Sequence, residues 1–144
     1  MKIVDKAVEI FQSNIVGKDI LEVACGRADF SISASKYAKS VTCIDLDEGR
    51  IKGKALPDNV RFEITDAANM SYPGESFDNV FLYNAFFHVQ TQWSDIETEC
   101  RRVLRPGGKI FIIGTWKLDV NLMVDIFGNA AQWSDEFLVV KIEK

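Results

Sequence analysis

Three acidic residues, Glu22, Asp45 and Asp66, each lie at or just after the end of a short apolar run. Short apolar runs bounded by turn residues are typical of buried strands. In open α/β sheets, ligands bind at the carboxyl ends of the strands, so the three acids are expected to surround one ligand site. Three carboxylates around one site favour a ligand that carries positive charge.

The turn after the first of these runs limits the ligand further. In ILEVACGRADF, residues 20 to 30, the pattern changes from strand to helix through Gly26. Such a helix start can bind a pyrophosphate when small residues fill the pattern G-x-G-x-x-G. The three positions here are Ala24, Gly26 and Asp29. Because the Asp29 carboxylate would repel a pyrophosphate, a dehydrogenase that uses a nicotinamide dinucleotide is disfavoured.

Apolar periodicity predicts the elements that position these acids. Strands are predicted at 20–23, 41–45, 60–64, 79–83 and 109–114, with a terminal antiparallel strand at 137–144 after a turn at 133–136. Helical patterns lie before, between and after the first five strands. This alternation predicts a doubly wound α/β fold, with a mainly parallel sheet, right-handed crossovers and helices on both faces.

Length and composition limit the remaining function classes. The chain has 144 residues, 47% of them hydrophobic and 26% charged, which predicts one globular domain over residues 1–144. A net charge of −4 without a basic stripe argues against a nucleic-acid partner. Its three cysteines form no C-x-x-C pair and no apolar run approaches 18 residues, so we expect a cytoplasmic protein with reduced thiols and no membrane partner. No metal site is expected.

Five sequence blocks together carry a resemblance to a known family. They are LEVACGRA, CIDLD, ITDAANM, SFDNVFLYNAFFHV and RVLRPGGKIFI. Over about residues 18 to 116 the chain resembles class I S-adenosylmethionine-dependent methyltransferases, in particular the small-molecule branch that includes the ubiquinone and menaquinone methyltransferases. The resemblance implies a Rossmann-like fold, S-adenosylmethionine as the cofactor, and methyl transfer to a small-molecule acceptor by in-line displacement.

The same resemblance implies which residues bind the cofactor. They are Glu22, Ala24, Cys25, Gly26, Asp45, Leu46, Asp66, Ala67 and Asn84. The backbone around Ala24 to Gly26 would face the methionine portion, with Glu22 beside the loop, and Asn84 would meet the methionine end at the tip of the fourth strand. Asp45 would bind the ribose hydroxyls, a role that its position nineteen residues after Gly26 also favours. Leu46 would pack on the adenine, and Asp66 with the Ala67 N–H would bind the adenine edge.

Three candidate residues, two of this set and one further residue, have a structural interpretation beside the functional one. Glu22 either faces the cofactor or is a buried acid satisfied by N–H groups. His88, the only histidine, is the candidate catalytic residue, as a general base after the fourth strand. The alternative is a structural histidine, because methyl transfer from a sulfonium needs mainly in-line positioning. Cys25 is a weak candidate nucleophile, with packing as its alternative.

Two departures from the family pattern concern the loop and the tail. Ala28 stands where the loop usually has glycine, so its methyl group either crowds the cofactor or stiffens the helix start. Only one strand fits the tail where the family has two, which predicts a truncated sheet of about six strands. Together with the short N-terminal region, this motivates an alternative function as a non-catalytic cofactor-binding or partner subunit. A truncated sheet edge could also pair with a second copy or a protein partner.

Overall fold

The computed structural model describes all 144 residues, Met1 to Lys144. Its strands are β1 (Asp19–Val23), β2 (Ser40–Asp45), β3 (Val60–Ile64), β4 (Phe77–Tyr83), β5 (Leu104–Gly114), β6 (Ala131–Ser134) and β7 (Phe137–Glu143). Its helices are α1 (Ile3–Ile10), α2 (Asp29–Ala34), α3 (Phe86–Val89), α4 (Trp93–Val103) and α5 (Lys117–Phe127). None of these helices has the length and apolar character needed to cross a membrane.

All seven strands form one sheet in the spatial order β3-β2-β1-β4-β5-β7-β6. The first five strands pair in parallel, and β7 runs antiparallel to β5. From β1 the chain first builds outward through β2 and β3, then returns to add β4 on the other side of β1. This reversal puts the topological switch point between β1 and β4, where open α/β sheets bind ligands. The predicted doubly wound, Rossmann-like α/β fold is confirmed.

The predicted number of strands is wrong, because β6 forms where a turn was expected. Trp133 of β6 pairs with Leu138 of β7, and the hairpin turn contains only Asp135 and Glu136. The strand escaped detection because it has four residues at the sheet edge and leaves Gln132 and Trp133 exposed. The segment therefore lacks the alternation of apolar and polar residues from which a half-buried strand is predicted. The sheet is not truncated, and a partner at its edge stays a prediction.

Two separate cores, one on each face of the sheet, hold the helices in place. One contains 20 buried residues and lies under α4 and α5, whereas the other contains 17 and lies under α1 and α2. Adjacent residues of β1 serve opposite cores: Leu21 packs in the first and Ile20 in the second. A strand that is buried on both faces has a continuous apolar sequence. For this reason these strands could be predicted from the sequence.

At the amino end of the sheet, Arg105 of β5 joins two neighbouring strands. Its Nη1 atom donates to Oδ2 of Asp19, at the start of β1, at 2.8 Å and to Oδ2 of Asp78 in β4 at 3.1 Å. A hydrogen bond from Ser40 and the Arg105 guanidinium lower the pKa of Asp19 below its usual range. The ion pairs of Arg105 with Asp19 and Asp78 thus link β5 to β1 and β4.

Replacing Arg105 by methionine is expected to lower the free energy of unfolding by about 1 kcal/mol at pH 7, the upper range for partly exposed ion pairs. Because the pKa of Asp19 is lower in the folded state, its contribution is complete above the usual aspartate range and is lost as the pH falls through the folded value. Urea unfolding of the native protein and of Arg105→Met, at pH 7 and at about pH 3, measures the difference in the free energy of unfolding. A difference that persists undiminished in acid would contradict it.

Candidate functional site

A cavity of about 1060 Å³ opens at the switch point, beside the carboxyl ends of β1, β2 and β4. All ten predicted site residues line it: Glu22, Ala24, Cys25, Gly26, Asp45, Leu46, Asp66, Ala67, Asn84 and His88. Consecutive parallel strands end at the same edge of the sheet, so the fold brings together residues that are far apart in the chain.

The loop between β1 and α2 places every second residue in the left-handed region. The φ angles are 55° at Ala24, 55° at Gly26 and 62° at Ala28. A Cβ atom at Gly26 would lie 2.9 Å from Nη1 of Arg50, at the end of a flexible side chain that can shift, so the positive φ rather than space favours glycine here. Ala28 is fully buried in the core under α1 and α2 and is not among the cavity-lining residues. Its methyl group therefore belongs to the helix start rather than crowding the cavity.

Two carboxylates of the protein accept N–H groups in and beside this loop. Asp45 accepts the Gly26 N–H through Oδ2 at 2.8 Å and the Leu46 N–H through Oδ1 at 2.7 Å. Glu22 accepts both the N–H and the hydroxyl of Ser31, in the first turn of α2, at 3.1 and 2.6 Å. A pyrophosphate would need such N–H groups free. The carboxylates thus hold the Gly26 and Ser31 N–H groups, which are then not available to an anion, while Arg27 and Arg50 lie among the acids that line the cavity.

Glu22 combines both interpretations offered for it. It is only 2% exposed and is satisfied by Ser31, yet it also lines the cavity. Burial raises the pKa of Glu22 well above its ordinary value, and the hydrogen bonds from Ser31 oppose that rise. A positively charged ligand beside Glu22 would favour its ionised form.

The other two polar residues at the strand ends differ in how free their side chains are. Asp66 is exposed, and only its Oδ1 atom is engaged, by the Ala68 N–H at 2.9 Å. Asn84, with φ at 49°, binds Thr115 after β5 through its side-chain amide, donating to Oγ1 at 2.9 Å and accepting the N–H at 2.8 Å. The second N–H of the amide has no partner and is left for a ligand. Sequence reasoning did not find Thr115, because the two residues are 31 positions apart.

Two basic residues of the loop between β2 and β3 lie across the glycine loop, and one of them, Arg50, also lines the cavity. Neither residue was predicted from the sequence. The Arg50 guanidinium lies over Gly26, within 2.9 Å of the position that a Cβ would take. Lys54 donates to the carbonyl of Arg27 at 2.8 Å and pairs with Asp29 at 3.4 Å. The β2–β3 loop is thus tied across the glycine loop, and a ligand lying against Gly26 has to move Arg50.

His88 and Cys25 are the residues that could supply reactive groups. His88 lies on α3, exposed at the cavity. Cys25 is only 7% exposed, and the neighbouring Cys43 thiol and burial raise its pKa, so it is a protonated thiol and the packing interpretation is favoured. No three His, Cys, Asp or Glu side chains are grouped so that they could hold a metal ion.

Comparison with known proteins gives the family. Residues 21 to 112 match the family described as "Methyltransferase domain". A demethylmenaquinone methyltransferase of Staphylococcus epidermidis is 31% identical over 118 residues, which cover 77% of this chain and 48% of that protein. The 27-O-demethylrifamycin SV methyltransferase of Amycolatopsis mediterranei is 33% identical over 102 residues, covering 65% of this chain and 37% of that protein. The chain thus spans less than half the length of these curated relatives.

A solved structure confirms the fold independently of these relatives. A SAM-dependent methyltransferase from Aquifex aeolicus superposes with a TM-score of 0.74 at 17% sequence identity, over 96% of this chain and 88% of that one. The similarity therefore includes the tail as well as the matched segment. Since the family match covers more than half of the chain, the protein belongs to the class I S-adenosylmethionine-dependent methyltransferases, as its sequence blocks predict.

Proposed function

We propose that this chain binds S-adenosylmethionine and transfers its methyl group to a small-molecule acceptor. One observation carries the proposal: Glu22, Asp45 and Asp66 line a single cavity, beside which Asp45 and Glu22 accept the N–H groups of Gly26 and Ser31. S-adenosylmethionine carries a sulfonium and an ammonium group, so its positive charges match these three carboxylates, whereas the negative charge of a pyrophosphate does not. When bound, the cofactor supplies a methyl group on a positively charged sulfur.

The residues that hold the cofactor follow from the hydrogen-bonding capacity that contacts within the protein leave unused. Asp45 uses one lone pair of each oxygen on the protein, and the remaining lone pairs can accept the two ribose hydroxyls. Leu46, 67% exposed at the cavity, supplies an apolar surface for the adenine. Asp66 keeps Oδ2 free for the adenine amino group, next to the Ala67 N–H. Glu22 lies on the methionine side.

The remaining loop residues, Ala24, Cys25 and Gly26, contribute backbone to the methionine side, and Asn84 lies there at the tip of β4. The acceptor is proposed to approach from the side of α3 and β5, where His88 and Trp116 line the cavity. Trp116 is 50% exposed, so a bound acceptor can cover an aromatic surface that now faces water. The relatives are named for acceptors as different as demethylmenaquinone and a rifamycin, so the proposal names only a small molecule.

Calorimetric titration with S-adenosylhomocysteine, the demethylated product, tests cofactor binding. We expect saturable binding at one site, and no binding at millimolar ligand would overturn the proposal. Formation of S-adenosylhomocysteine from S-adenosylmethionine, measured across a panel of phenols, quinols, sugar hydroxyls and amines, then tests the transfer.

Binding without transfer to any acceptor would favour the alternative of a non-catalytic cofactor-binding or partner subunit. A missing strand no longer supports that alternative, because the tail forms two strands, β6 and β7. The same panel run with co-purified proteins separates an inactive chain from one that needs a partner.

A further inference from the structure

The buried carboxylate of Asp119 has a role that cofactor binding does not explain. Asp119 lies in the first turn of α5 and is 0% exposed. Its Oδ1 accepts the N–H of Phe87 in α3 at 2.7 Å. Its Oδ2 has no hydrogen-bond partner, and it is the only buried side-chain nitrogen or oxygen in the protein without one. Because an unpaired buried carboxylate oxygen is costly, a partner for Oδ2 is expected.

The imidazole of His88 is the group best placed to become that partner. His88 directly follows Phe87, whose N–H already binds the other oxygen of Asp119. Burial raises the pKa of Asp119, while the Phe87 N–H and the charge of His88 lower it. The His88 side chain is exposed, so it can change rotamer rapidly and turn one ring nitrogen toward α5.

We propose that Asp119 is a positioning residue, which holds His88 through Oδ2 so that His88 removes the proton from a hydroxyl or amine acceptor. This inference rests on the proposed function and names its acceptor class. The acceptor oxygen or nitrogen forms the new bond to the methyl carbon, and the sulfur keeps the electron pair of the broken S–C bond. The acceptor proton moves to the ring nitrogen of His88 that does not face Asp119, and then to solvent.

The test uses the nitrogen NMR signals of the imidazole, which belong to His88 alone because the chain has one histidine. In the wild-type protein, with S-adenosylhomocysteine present, we expect one ring nitrogen to carry a hydrogen-bonded proton protected from exchange. In Asp119→Asn that protected signal should disappear. The asparagine oxygen can still accept the Phe87 N–H, so the contact between α3 and α5 is kept. Asp125→Asn, an exposed site on the same helix, should leave the signal unchanged.

Wild-type ring signals of a freely exchanging imidazole, with and without S-adenosylhomocysteine, would overturn the inference whether or not Asp119→Asn folds. A protected signal that survives in folded Asp119→Asn would overturn it too. Calorimetric binding of S-adenosylhomocysteine, measured on the same samples, reports on the proposed function separately.

Kinetics with an acceptor from the panel supply the second readout. His88→Gln should lower kcat by about 100-fold and Asp119→Asn by about tenfold, with the KM and the cofactor Kd unchanged. A change in KM alone would indicate a structural role for Asp119 and contradict the proposal. Transfer only to carbon atoms would contradict the acceptor class.

Discussion

Replacing Asp45 by asparagine is expected to weaken S-adenosylmethionine binding by one to two orders of magnitude. Hydrogen bonds to a charged group contribute about 1.5–3 kcal/mol, and 1.4 kcal/mol corresponds to a factor of ten in Kd. The substitution also puts an NH₂ group opposite the N–H of Gly26 or of Leu46, where Asp45 now offers an oxygen to each. Both effects act at the carboxyl end of β2. Calorimetric titration of the two proteins with S-adenosylhomocysteine measures the loss.

Asp47→Asn is the matched control for this experiment. Asp47 also lines the cavity, and its carboxylate binds only the Gly49 N–H of its own turn. Asp47→Asn removes the same charge two residues further along the chain, so we expect its Kd to change by less than about threefold, as for exposed charges. An equal loss in both variants would show that general electrostatics, rather than Asp45, controls binding. An unchanged Kd in Asp45→Asn would contradict the proposed ribose contact.

Replacing Phe81 by alanine is expected to destabilise the protein by about 3–5 kcal/mol. Phe81 lies in β4 at the centre of the core under α1 and α2, and is 0% exposed. Its ring centroid lies 5.9 Å from Phe11, 5.0 Å from Phe30 and 5.0 Å from Phe111. Truncation leaves a cavity between α1, α2 and the sheet. A loss of this size is a large part of the usual stability of a domain, and should lower the Tm by roughly 10 °C or more.

Two further variants make the Phe81 result interpretable. Phe81→Leu fills part of the space and should cost roughly a third to a half as much. Phe87→Ala, at a phenylalanine that is 41% exposed, should change the free energy of unfolding by less than about 1 kcal/mol. Urea unfolding of all three variants measures these values. Equal losses at Phe81 and Phe87 would contradict the assignment of the core.

The sequence by itself determined the parallel α/β arrangement of the first five strands, and it predicted the edge of the sheet at which the candidate site residues lie. Strands buried on both faces are continuous apolar runs, and such local patterns survive in a single sequence. Parallel strands joined by crossovers must end at the same edge, so the three acids could be assigned to one cavity before any contact was known. The positions of Asp45 and Asp66 relative to their strands were therefore sufficient to predict a site for a positively charged ligand.

Only the tertiary structure decided which of those groups are free to act. Asp119 and Asp125 are both acids in one apolar segment, yet Asp119 is buried with an unpaired oxygen and Asp125 is exposed. The strand β6 is held by its pairing with β7 and not by any apolar pattern of its own. Arg50 lies over Gly26, and Asn84 binds Thr115, through contacts between residues more than twenty positions apart. Long-range contacts leave no periodicity in the sequence, because they depend on how the folded elements are arranged in space.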